Sequence, residues 1–191
     1  MPEPTSEAIA KRIRVEHTVS SSTEPAARCE TVAMVEPTAV LDLPGGDPAP
    51  LAPHLDALVA ASRGGWVTLL PGVPEEAAPP PRSALARLFS GQGPMATVCT
   101  WVAPQPKGKP PHVELGVLHA TGPKVAKRLD GLGLAVPPRW VVLADHPKRG
   151  LVVAVPPDAT PMESVTWLLE VGKKLCRVPM TGMWRATVHG V

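Results

Sequence analysis

The sequence has no tyrosine and no asparagine, a single phenylalanine (Phe89), and isoleucine only at Ile9 and Ile13. Residues with A/T-rich codons are scarce, which points to a GC-rich coding sequence and leaves the fold open. Cysteine is thin as well: Cys29, Cys99 and Cys176 are far apart and odd in number. They form no CxxC pair and no zinc-ligand spacing, which argues against a disulfide framework or a structural zinc site. Free thiols of this kind are expected to be buried as small apolar side chains in a reducing compartment. No apolar run approaches the ~18 residues that a membrane helix needs, so no membrane partner is expected. Met1-Pro2-Glu3-Pro4 shows neither the basic n-region nor the apolar h-region of a signal peptide. The expectation is a protein that stays in the cytoplasm where it is made.

Charge of one sign is also missing. The 19 Lys and Arg nearly balance the 17 Asp and Glu, for a net charge of +2. Residues 1–28 are balanced within themselves, so there is no dedicated basic arm for nucleic acid. Modest basic stretches lie at 104–149 and after Glu170. Lys107, Lys109, Lys148 and Arg149 are the candidate RNA contacts among them, against the plainer reading of solvated loop cations.

What is abundant is proline, 26 of 191 residues, well above the ~5% of ordinary chains. With 44% hydrophobic residues, the chain can still build a substantial core. The organisation expected is a flexible N-terminal tail over 1–28 and one globular domain over 29–191. Alternating residues suggest strands at 13–19, 31–35 and 39–43, with Pro37 separating the last two. Leu51, Leu55, Leu58 and Val59 fall at helical spacing, predicting a helix over 51–62 that Gly64-Gly65 stops. Strands are predicted at 66–70, 95–102 and 112–119, short helices at 83–89 and 123–130, and a hairpin from Trp140–Ala144 and Leu151–Val155 around the turn 145–150.

The segment 160–176 fits two readings. Thr160-Pro161-Met162-Glu163 is a capping box with proline at the first helical position, and Val165, Leu168, Leu169 and Leu175 share a helical face. Val165, Trp167, Leu169 and Val171 also alternate as a strand does. Local physics favours the helix. A last strand is expected over 183–189. No internal repeat stands out: two strand–turn–strand–helix units, near 95–130 and 139–176, share an order of elements but little sequence.

Catalytic signatures are absent. Gly91-Gln92-Gly93 and Gly131-Leu132-Gly133 lack the third glycine and the Lys-Ser/Thr of phosphate loops, and no Gly-x-Ser-x-Gly occurs. The six histidines are scattered; His112 and His119 are seven apart in one strand, so they face opposite sides. Asp145, in a tight turn, is expected to bond nearby backbone. No catalytic residue, cofactor or metal is assigned. The five tryptophans, Trp66, Trp101, Trp140, Trp167 and Trp184, are read as core residues or as subunit-interface anchors.

The order of these motifs resembles the coat proteins of tymovirus-like icosahedral plant viruses over about residues 50–175. The matching features are a short helix before Trp66-Val67-Thr68-Leu69-Leu70, a proline-rich loop, the strand Thr97–Val102 closed by Ala103-Pro104, and His146-Pro147-Lys148 leading into Leu151–Val155. The resemblance implies an eight-stranded antiparallel jelly-roll sandwich with short helices. It also implies a structural coat protein that self-assembles into a shell around viral RNA, with the virion as its location. The alternative is an α+β single domain: a small non-catalytic protein of a GC-rich bacterial cytoplasm that binds a protein or ligand.

Overall fold

In the computed structural model, seven short β-strands line up in one antiparallel sheet in the order β1-β7-β2-β3-β4-β6-β5. The strands are β1 (Ala39–Pro44), β2 (Trp66–Pro71), β3 (Val98–Val102), β4 (Val113–Leu118), β5 (Val141–His146), β6 (Gly150–Val155) and β7 (Met183–His189). Three helices accompany them: α1 (Ala52–Ala61), α2 (Val125–Gly131) and α3 (Pro161–Leu175). The structure describes residues 36–62, 64–78, 93–104, 112–147 and 149–190, all within one compact unit that begins at Val35. The expected tail at 1–28, the strands at 13–19 and 31–35 and the helix at 83–89 lie outside the described residues.

The mainly β character expected from the sequence is present, and the described strands form a single sheet. Helix α3 resolves the ambiguous segment. The Thr160 hydroxyl accepts the Glu163 backbone N–H at 3.1 Å, Pro161 occupies the first turn, and Lys173 and Lys174 stand in the last turn, where cations suit the helix dipole. These local signals prevail because the helical face Val165, Leu168, Leu169 and Leu175 is also the face that the core takes up.

One core cluster joins the three helices to one face of the sheet. Val67, Leu69, Cys99, Trp101, Leu115, Val117, Leu151, Val153, Trp184 and Ala186 point into it from the strands; Leu55, Leu58, Val125, Leu129 and the α3 face point into it from the helices. Helix α3 lies over β2, β3 and β4, and α2 lies beside β5. Strand β3 starts at Val98, not at Met95. The Met95 carbonyl is taken by the Arg177 N–H and the Thr97 hydroxyl bonds the Gly172 carbonyl at 3.0 Å, so these residues tie to the α3 end of the molecule instead.

The two strand–strand–helix units seen in the sequence are real elements. Units β3-β4-α2 and β5-β6-α3 occupy the block β3-β4-β6-β5, and a half-turn about the sheet normal exchanges them. The helices follow the same exchange, since α2 lies on β5 and α3 on β3. The join between the halves, β4 to β6, is tight. Gly150 has φ of +80°, and an added Cβ there would lie 2.2 Å from the Val117 carbonyl oxygen, so only glycine fits.

Candidate interaction surface

With the three helices on one face, the other face of the sheet is left open among the described residues. Its residues run in three rows across the strands. The middle row is Val40, Thr187, Thr68, Thr100, Gly116 and Val152. A second row contains His189, Trp66, Val102, Glu114, Ala154 and Val141. A third contains Asp42, Arg185 and Leu70 on one side and Val98 and Leu118 on the other.

An antiparallel sheet with one wet face normally alternates apolar-in with polar-out. Here the outward positions of β2, β3, β4 and β6 include one charge, Glu114, at the start of β4 and within 3.1 Å of His112. The remaining charges of the face, Asp42 and Arg185, pair with each other at 3.3 Å at the β1–β7 side. Val40, Leu70, Leu118, Val141 and Met183 are exposed. A central apolar and threonine field with charges at its rim has the anatomy of a protein-binding surface. Near the β1–β7 corner a shallow cleft of about 300 Å³ is lined by Asp42, Leu70, Pro71, Gly72, Met183, Trp184 and Arg185.

The tryptophans separate by this division. Trp101 and Trp184 are fully buried and Trp140 nearly so; the Trp101 indole N–H donates to the Ser164 hydroxyl at 2.9 Å. Trp140 meets Trp167 edge-on at 5.3 Å between ring centroids, and the half-buried Trp167 donates its N–H to the Ala135 carbonyl. These four serve the core and the helix layer. Only Trp66 belongs to the open face, stacked on His189 with centroids 4.7 Å apart. Of the candidate RNA contacts, Arg149 is exposed in the β5–β6 turn; Lys107, Lys109 and Lys148 lie outside the described residues.

Burial sets the titration of Cys99 and His119. Cys99 is fully buried, and burial, with a smaller effect from Cys176, pushes its thiol far above the ordinary range, so it stays protonated and inert. His119 is buried at the end of β4. Its Nδ1 accepts the Thr121 backbone N–H at 3.3 Å and lies 3.0 Å from the Thr121 hydroxyl, while its Nε2 has no partner. Burial lowers its pKa; Asp145 acts against that shift and Arg128 adds to it.

Asp145 does not cap its own turn, as the sequence suggested. Its two carboxylate oxygens accept the backbone N–H groups of Val125 and Ala126, each at 3.0 Å, and so close the start of α2 from twenty residues away. No group of three or more metal-ligating side chains occurs among the described residues, and no helix there is long and apolar enough to cross a membrane. No family model matches this chain, and neither a curated protein nor a solved structure matches it.

Proposed function

We propose that this chain is a non-catalytic α+β binding protein that works by presenting the open face of its sheet to a protein partner. The observation that carries the reading is the near absence of charge across the outward positions of the four strands from β2 to β6, with the Asp42–Arg185 pair at the rim. Gly116 in the middle row leaves a hollow between Thr100 and Val152 that a partner side chain fills.

Site-specific photo-crosslinking tests this. A photoreactive residue at Leu70 or Leu118, both exposed on the open face, is expected to give discrete protein adducts in the cells that produce the chain. The same residue at Lys127, exposed on α2, is the control and is expected to give none. Adducts at the control position only, or at none of the three, would sink the reading.

The coat-protein reading, with its eight-stranded jelly roll, draws support from the same exposed face, because a shell is built from repeated protein–protein contact, and from the antiparallel β content. The resemblance implies a long last strand after the loop that follows Leu151–Val155, and helix α3 stands there instead, so this reading comes second. Closed megadalton particles in light scattering would favour it; a small species over a range of salt and pH would remove it.

A further inference from the structure

The connection from β4 to α2 is held in a disfavoured conformation by ionisable side chains. Gly122 has φ of +84° and Lys124 has φ of +60°, the latter in the left-handed region that a Cβ makes costly. Three side chains fasten this segment. The His119 ring accepts the Thr121 N–H on Nδ1 at 3.3 Å. The Arg128 guanidinium donates to the Thr121 carbonyl at 2.7 Å. The Asp145 carboxylate accepts the Val125 and Ala126 N–H groups. Of the three, only His119 is fully buried, at 1% exposure. A backbone N–H can only donate, so Nδ1 is the bare nitrogen of the neutral ring and the proton sits on Nε2. A second proton therefore arrives at the one ring atom that already holds the turn. Nδ1–H and the Thr121 N–H are both donors and do not bond each other. The Thr121 hydroxyl, 3.0 Å from Nδ1, can turn to accept from the ring, but the backbone N–H then loses its acceptor.

We propose that the β4–α2 connection is an acid-released latch, in which a proton on His119 displaces the Thr121 N–H and frees the connection and the first turn of α2 while the sheet and α3 stay folded. Two charged groups face the ring: Asp145, from β5, favours the imidazolium, and Arg128, from α2, opposes it. Asp145 is already engaged by the α2 N–H groups, so a charged ring in the closed connection would compete with the cap of α2. The other neighbours bring no charge to the ring. Gly93 packs on the His119 backbone and Gly150 on that of Val117 and Leu118. His146, one position along from Asp145 and opposite Gly150, belongs to the other face of the sheet. In the opened connection the imidazolium and the Thr121 N–H both meet water, so the proton favours opening. Release uncovers Val125, which is fully buried in the closed state. It lies on the helix side of the sheet, so the latch stands or falls apart from the open face.

Amide hydrogen exchange on the full chain from about pH 7.5 to about pH 5, with the intrinsic pH dependence of exchange divided out, tests the proposal. Below ~6.5 the opened form takes up the proton first, because burial holds the closed form back. Opening at Thr121, Val125 and Ala126 is expected to rise about tenfold per pH unit from ~6.5 down to the folded-state value, while the α3 amides keep their protection. His119→Gln retains an acceptor for the Thr121 N–H and does not titrate; its connection is expected to stay closed over the whole range. Arg128→Gln, at an exposed position, removes the bond to the Thr121 carbonyl and the cation that opposes the imidazolium. It is expected to open the connection already near pH 7.5 and to respond less to acid. An acid response of equal size in His119→Gln overturns the proposal. So does an opening in which the α3 and connection amides lose protection in step, which would make the effect one of global stability alone. Unchanged Thr121 protection in Arg128→Gln overturns it as well.

Discussion

Gly172 shows how closely α3 is pressed on the sheet. A Cβ at this position would lie 2.7 Å from both the Cys99 sulfur and the Trp184 ring, and the Gly172 carbonyl holds the Thr97 hydroxyl. In an isolated helix Gly→Ala stabilises by about 1 kcal/mol. Here overpacking of a filled core costs about 1–3 kcal/mol, so Gly172→Ala is expected to lower the unfolding midpoint in urea. A midpoint that rises would show that α3 moves away from β3 without cost. His119 sets a second expectation. Its folded-state pKa lies below the ordinary histidine value of ~6.5, so the fold favours the neutral ring. That contribution is fully present above ~6.5 and is lost as pH falls from there through the folded-state value, because the unfolded chain takes up the proton first. The urea midpoint is expected to be lower near pH 5 than near pH 7.5, and His119→Gln is expected to shrink the difference. At this scale the sequence is only partly legible. Cys99 reads as a buried thiol from composition alone. Nothing in the sequence separates Trp66 from the other four tryptophans, because each is an apolar residue in an apolar stretch.

Helices α2 and α3 begin by different means. The start of α3 is encoded within four residues, and Thr160→Ala is expected to cost about 0.5–2 kcal/mol by removing the cap on the Glu163 N–H. Thr160→Ser retains the oxygen and is expected to retain most of the stability; equal losses in the two variants would count against the cap as the cause. The start of α2 has no side-chain cap of its own, and Lys124 there takes a left-handed conformation with φ of +60°. Its cap is Asp145, from β5. Asp145→Ala is therefore expected to expose the α2 amides selectively to hydrogen exchange, with the α3 amides unaffected. A capping box is visible in sequence because its donor and acceptor are three residues apart. A cap delivered across a sheet has no local signature, which is why Asp145 reads as a turn residue until the fold is known.

For the whole molecule, the arrangement of elements decides where apolar surface is left over. Among the described residues, three helices on one face and a chain that returns β7 between β1 and β2 leave the other sheet face without cover. Lysine at Leu70 and Leu118 together is expected to raise solubility with no loss of thermal stability, since both side chains are already exposed; a fall in melting temperature would mean that the face is covered within the chain. Much of the architecture was set by the sequence alone. Alternation and proline–glycine punctuation place strands at 39–43, 66–70, 112–119, 140–144, 151–155 and 183–189, each within a few residues of the observed ones, and helical spacing, a starting proline and one capping box place the three described helices, because those signals act between residues close along the chain. Strand order, the half-turn relating the β3-β4-α2 and β5-β6-α3 units and the open face came only from the tertiary structure. An outward valine and an inward valine alternate identically in sequence, and only the placement of the helices determines which of them meets the core.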